Sequence, residues 1–186
     1  LALNQISQNT TPAKLYQFAL RPEDEVNAVS DKAYKQGHRQ ALLLYADNAL
    51  GHRLSEAFKQ AWKSRGATVL DSRAFSSVND LDSKIKSLLQ WKNQQRRKDA
   101  DMIFIAVNAE EARQIKPLLN FYDAENLAVY GSAAVYNGRP DPTHDQKLNH
   151  IHFCDIPWVL QYSHQLQETQ QVIEKAWGAS ANSSPR

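Results

Sequence analysis

Ala41-Leu42-Leu43-Leu44-Tyr45-Ala46-Asp47-Asn48 and Met102-Ile103-Phe104-Ile105-Ala106-Val107-Asn108 are two versions of one pattern. In each, a short apolar run closes on a polar residue and leads into an amphipathic helix. After the first run, Leu54, Ala57, Phe58, Ala61 and Trp62 fall on one helical face, and Gly66 stops the helix. After the second, Asn108 with Glu111 three residues on reads as a capping box, and Ala112, Ile115, Leu118 and Leu119 form the apolar side. Both runs are apolar throughout rather than alternating, as parallel strands are when helices cover both faces of their sheet.

Working outward, Leu127-Ala128-Val129-Tyr130, closed by Gly131-Ser132, and Ile151-His152-Phe153-Cys154 read as further strands. Ala67–Leu70 and Arg73–Phe75 read as strands that together make one extended segment. Arg21-Pro22-Glu23-Asp24-Glu25 opens a helix, with proline early and acids in the first turn, that carries Val26, Val29 and Ala33 inward and ends at Gly37. Asp80 is expected to cap a helix bearing Leu81, Ile85, Leu88 and Leu89 that fades into Gln94-Gln95-Arg96-Arg97-Lys98, cations placed to complement a helix C-terminus. Pro117 should kink or shorten its helix. Leu166, Ile173 and Trp177 have helical spacing ahead of a polar tail. The implied class is three-layer α/β, a parallel sheet of about five strands in the order 2-1-3-4-5 flanked by helices. Leu1–Asn4 and Leu15–Leu20 read as strands outside that sheet, belonging to a second lobe.

Composition adds bounds rather than direction. The 186 residues, 42% of them hydrophobic, suffice for one substantial core. A net charge of +2 from 22 basic and 20 acidic residues gives no support to nucleic-acid binding. No apolar run approaches the roughly 18 residues of a membrane span. Cys154, the single cysteine, excludes an intrachain disulfide and a cysteine zinc site. The start at Leu1 reads as that of a fragment whose targeting information lies upstream.

Chemical motifs are sparse. There is no Walker A sequence, no Gly-x-Gly-x-x-Gly and no nucleophile elbow around Ser132, and Gly51 is too isolated to cradle a phosphate. His150 and His152 alternate on a strand without a third metal ligand, and Asp99 and Asp101 read as solvated turn residues. No catalytic residues, metal site or cofactor are therefore assigned. In open α/β sheets a ligand crevice lies beyond the carboxyl ends of the strands. That rule places Tyr45, Asp47, Asn48, Asn108, Gly131 and Ser132 around one, with Asn4 from the first-lobe strand as a further candidate contact. Each also has a structural reading, as cap, turn or packing residue.

The order of elements resembles a type I periplasmic-binding-protein fold, two α/β lobes joined by crossing strands. In detail the chain is similar to the C-terminal domain of the LpoA-type outer-membrane lipoproteins, activators of penicillin-binding protein 1A. The matching residues are Leu1–Asn4, Phe18–Glu25, Gly37-His38-Arg39, Gly51 with Ala57-Phe58 and Trp62, Asp101–Ala106, Glu111–Ile115 with Pro117, and Phe153 with Asp155-Ile156-Pro157-Trp158. The resemblance implies residues 1–38 as a remnant of the first lobe and the hinge crossing, 39–154 as the second lobe, and 155–186 as the hinge return and C-terminal helix. It implies a non-enzymatic regulator that binds a peptidoglycan synthase of the penicillin-binding protein 1A type. That regulator would lie in the periplasm, held to the outer membrane only by a lipid anchor upstream of this fragment. A periplasmic solute-binding lobe for a small polar ligand is the alternative. Trp158 reads as a buried hinge aromatic, or else as a partner contact.

Overall fold

A computed structural model describes residues 21–137, 141–155, 171–172 and 175–176. The strands expected at 1–4 and 15–20, Asn4 and Trp158 lie outside the described residues, as does most of the expected C-terminal helix; 171–172 and 175–176 are helical.

The chain order is α1 (Pro22–Lys35), β1 (Gln40–Ala46), α2 (Ala49–Ser64), β2 (Thr68–Phe75), α3 (Val78–Leu88), β3 (Met102–Ala106), α4 (Ala109–Phe121), β4 (Ala128–Gly131) and β5 (Ile151–Phe153). The strands form one five-stranded sheet, β2-β1-β3-β4-β5, with every pairing parallel. This is the expected order.

Alternation along the central strands sorts the core into two layers. Ala41 and Leu43 of β1 and Met102, Phe104 and Ala106 of β3 face Val26, Val29 and Ala33 of α1 and Leu54, Phe58 and Trp62 of α2. Leu42, Leu44, Ile103 and Ile105 face Leu81, Ile85 and Leu88 of α3 and Ala112, Ile115 and Leu119 of α4. On the first side Phe58 stacks on Phe104 with centroids 4.3 Å apart, and on Trp62 at 5.4 Å. The buried Trp62 indole N–H donates to the Thr68 carbonyl at 3.1 Å, so its one polar atom is satisfied. The helix α1 is thus part of this lobe's packing.

The segment after α2 is the one extended strand expected, with a bulge in it: register slips between Ala41, opposite Val69, and Leu42, opposite Asp71, which makes Leu70 the extra residue. Several other local expectations change. The helix α3 starts earlier than expected, with Ser77 as its N-cap and Asp80 as the third helical residue, whose carboxylate accepts from the Ser77 and Ser76 amides at 2.9 and 3.2 Å. It also ends at Leu88, so the basic cluster is not its last turn. Arg97 forms a double hydrogen bond to Asp99 at 2.7 and 2.8 Å, and Arg96 donates to the Asp123 carbonyl. Asp101 is no solvated turn residue either: its carboxylate accepts from the Arg39 and Gln40 amides at 2.8 and 3.2 Å and ties the start of β1 to the start of β3. The helix α4 is not shortened at Pro117 but continues to Phe121.

Gly51 carries a role that its isolation in sequence conceals. A Cβ built there would sit 2.0 Å from the Ala46 carbonyl oxygen, because α2 begins directly against the end of β1. Gly51→Ala should therefore destabilise the fold by about 3 kcal/mol, the scale of overpacking against fixed backbone. Urea denaturation of the two proteins measures the difference.

Candidate functional site

The turns at the carboxyl ends of β1 and β3 both open helices. Asn48 holds an extended conformation and its Oδ1 accepts from the Gly51 amide at 2.8 Å. Asn108 does the same for the Glu111 amide at 2.9 Å, while Glu111 Oε2 accepts from the Asn108 amide at 2.9 Å. The expected capping box is thereby present, and the Gly51 and Glu111 amides at these helix starts are already bonded within the chain.

Between these two turns lies a crevice of about 70 Å³, lined among others by Ala46, Asn48, Gly51, Ala106, Asn108 and Glu111. Its place is that expected for an α/β sheet, where the strand order reverses direction between β1 and β3. Its volume lies far below the roughly 300–1,000 Å³ of pockets that enclose drug-sized ligands.

Of the residues marked in the sequence, the structure brings Asn48 and Asn108 together here. Asp47 stands on the outer side of the β1 turn, with its Oδ1 2.6 Å from His52 Nε2 and its Oδ2 accepting from the Ser76 hydroxyl at 3.2 Å. Tyr45 meets the same imidazole edge to face at 5.2 Å. Gly131 and Ser132 are buried beneath the surface rather than open on a rim. A Cβ on Gly131 would come within 2.7 Å of Val135 Cγ1, which gives that glycine a packing role. Next to them, the Ala133 amide donates to Glu25 Oε2 at 3.2 Å and ties the turn after β4 to α1. His152 packs against Tyr130 at 5.2 Å between centroids, and His150 precedes β5 in the left-handed region at φ 67°. Cys154 is half-buried, and burial, then the charge of Glu25, push its thiol upward, away from the thiolate a nucleophile needs.

Glu111 and Gly51 complete the crevice that sequence placed at Asn48 and Asn108. Glu111 was legible through its capping spacing. Gly51 carried no local signal, since its constraint is a carbonyl five residues earlier, brought close only by the turn.

Comparison with known proteins decides the family. The family described as "LppC putative lipoprotein" matches residues 1–186. The chain belongs to this LppC lipoprotein family. Among LppC relatives, the penicillin-binding protein activator LpoA of Vibrio cholerae is 25% identical over 208 residues, an alignment covering 100% of this chain and 34% of that protein. The LpoA of Histophilus somni is 27% identical over 178 residues, covering 93% of this chain and 29% of that protein. The chain thus spans about a third of the length of these relatives. In structure it is similar to the LpoA C-domain from Haemophilus influenzae, described as a regulator of PBP1A. That likeness has a TM-score of 0.72 and 23% identity and covers 95% of this chain and 53% of that one. An ABC transporter substrate-binding protein from Desulfitobacterium hafniense superposes with a TM-score of 0.62 at 15% identity, covering 89% of this chain and 48% of that one. The LppC chain therefore has the fold of one lobe of a type I periplasmic-binding protein.

The Asp47 cluster gives a pH test. The hydrogen bond from His52, followed by that from Ser76, holds the Asp47 carboxyl below its ordinary value of 3.8. A carboxyl so lowered stabilises the fold above its unfolded-state value, and that stabilisation disappears as pH falls through the folded-state value. Carboxyl NMR titration should find Asp47 below 3.8, and His52→Ala should return it toward 3.8.

Proposed function

We propose that this chain is the second-lobe part of a C-terminal regulatory domain that binds a bifunctional peptidoglycan synthase of the penicillin-binding protein 1A type and raises its activity. The observation that carries this reading is the family match along all 186 residues, joined by relatives named as penicillin-binding protein activators that align over the whole chain. On this reading residues 39–154, with α1 packed on them, form the second lobe, and the segments before and after supply the crossings to a first lobe. The protein acts without catalysing a reaction itself. It works in the periplasm, attached to the outer membrane through a lipid anchor borne by sequence beyond this segment.

The chemistry of the strand ends agrees with a regulator. Asn48, Asn108 and Glu111 are spent on their own helix termini, and Asp47 on His52 and Ser76, so these polar groups serve the turn geometry. A regulator needs a stable shaped surface, which such turns provide. The alternative, a solute-binding lobe contacting a small polar ligand through Tyr45, Asp47, Asn48 and Asn108, draws support from the substrate-binding proteins that share the fold.

Glycan polymerisation and peptide cross-linking by the cognate synthase, measured with and without the complete protein, test the proposal. Both or either should rise and saturate; no change at saturating protein overturns it. A thermal-shift screen of the complete protein against amino acids and neutral sugars separates the alternative, since a ligand at 100 times its Kd raises stability by about 2.7 kcal/mol. The regulator reading expects no shift from free amino acids.

A further inference from the structure

A concavity larger than the strand-end crevice lies elsewhere on the described surface. It is an open groove of about 510 Å³ at the sheet margin, between the edge strand β2 and the helix α3. Asp71 and Arg73, two apart on β2, form one wall. Ser83, Lys86, Ser87 and Gln90 form the other, a polar stripe at helical spacing along α3 and its end. Trp91 and Lys92 close the groove. Its volume falls within the range of small-molecule sites, which the strand-end crevice does not reach.

The charge of the groove is one-sided, with three cations to one carboxylate. Asp71 is already engaged, accepting from Arg73 Nη1 at 2.5 Å and from the Ser72 amide at 2.7 Å. Arg73 is held in place by Asp71, the Ser72 carbonyl and Ser87 Oγ, which leaves its Nη2 with no hydrogen bond among the described residues. Lys86 and Lys92 form no ion pair among the described residues. Nor are these cations needed to cap α3. The carbonyls of Ile85, Lys86 and Ser87 receive the amides of Leu89, Trp91 and Gln90, and the Leu89 carbonyl receives the Arg97 amide.

Trp91 is half-buried, packed on one side against the core and edge-on to Tyr122 at 5.3 Å between centroids. It is therefore a fixed aromatic surface at the mouth of the groove. The backbone that carries it is tightly turned, with Gln90, Asn93 and Gln94 in the left-handed region. An aromatic face, two hydroxyls, a side-chain amide and a clamp of cations make a set suited to a sugar that bears an acid group. Such a ring would stack on the indole, its hydroxyls would reach Ser83, Ser87 and Gln90, and its carboxylate would meet the lysines and Arg73 Nη2. An extended acidic peptide would instead find polar side chains at helical spacing, without the alternating pockets that hold a strand.

We propose that the β2–α3 groove is a binding site for a carboxylate-bearing saccharide of one or two rings, with Trp91 as its stacking surface and Lys86, Lys92 and Arg73 as its acid-binding clamp. The site is distinct from the strand-end crevice, and it stands or falls independently of synthase activation.

The test is titration of the complete protein, followed by Trp fluorescence and calorimetry, with three probes and one variant. The probes are N-acetylglucosaminyl-N-acetylmuramic acid, digalacturonate and the neutral disaccharide diacetylchitobiose. Saturable binding of one or both acidic sugars is expected, weakened by salt and weakened about tenfold for the neutral one. The double variant Lys86→Gln with Lys92→Gln changes two exposed charges, leaves the core intact and should weaken the acidic sugar about tenfold while circular dichroism and thermal midpoint stay unchanged. Which acidic sugar binds more tightly identifies whether a ring or a side-arm carboxylate is read. No saturable binding of either acidic sugar overturns the proposal, as does equal affinity in the double variant. Binding of a polyglutamate peptide in place of the sugars overturns it in favour of an acidic protein segment.

Discussion

Two parallel strands in the middle of the sheet, β1 and β3, have no face in water. Leu42, Leu43 and Leu44 and Met102 through Ile105 are wholly buried, and each residue sends its side chain into one or other helical layer. Parallel strands cannot be joined by a tight turn, so each must be followed by a crossover long enough to return along the sheet. The helices that make these returns are also the cover that the strands require. Burial on both sides therefore sets the layers, and the lengths of α2 and α4 follow from the return path. Where those helices start, at the carboxyl ends of β1 and β3, the chain turns within two residues, and the tolerances are tight. Gly51 under the Ala46 carbonyl and the amide caps of Asn48 and Asn108 meet them.

Where the code was local, the sequence was readable. The unbroken apolar runs of β1 and β3, the Asn108–Glu111 spacing and the glycines at positive φ after α1 and α2 each act within a few residues, and each appears as expected. Failures came where a distant partner decides. The cations at 96–98 read as a helix end because nothing nearby in sequence reveals the Asp123 backbone that receives Arg96. Asp101 reads as solvent-facing until β1 is laid beside β3 and its carboxylate meets two amides more than sixty residues earlier. Ser77 is concealed as a cap by Asp80, itself a good cap residue, whose carboxylate instead accepts from the Ser77 amide as the third helical residue. The candidate site was legible to the same degree: the rule of strand ends led to the crevice, while the close approach of Val135 to Gly131 depends on the short turn after β4.

The helix N-termini at the strand ends carry their own polar partners. An α/β lobe offers an anion the unpaired amides of its first helical turns, and a negative charge placed at such a terminus gains about 0.3–1 kcal/mol from the helix dipole. In this chain Asn48 Oδ1, Asn108 Oδ1 and Glu111 Oε2 occupy that role, and Glu111 adds a negative charge where an anionic ligand would approach. An incoming carboxylate would compete with these bonds for the Gly51 and Glu111 amides and would meet the Glu111 charge. The side chains that rigidify these turns thus compete with an anionic ligand for the same amides. The margins of the sheet present a different chemistry. There β2 has one strand neighbour among the described residues, and the cations of Arg73, Lys86 and Lys92 line a groove of ligand size.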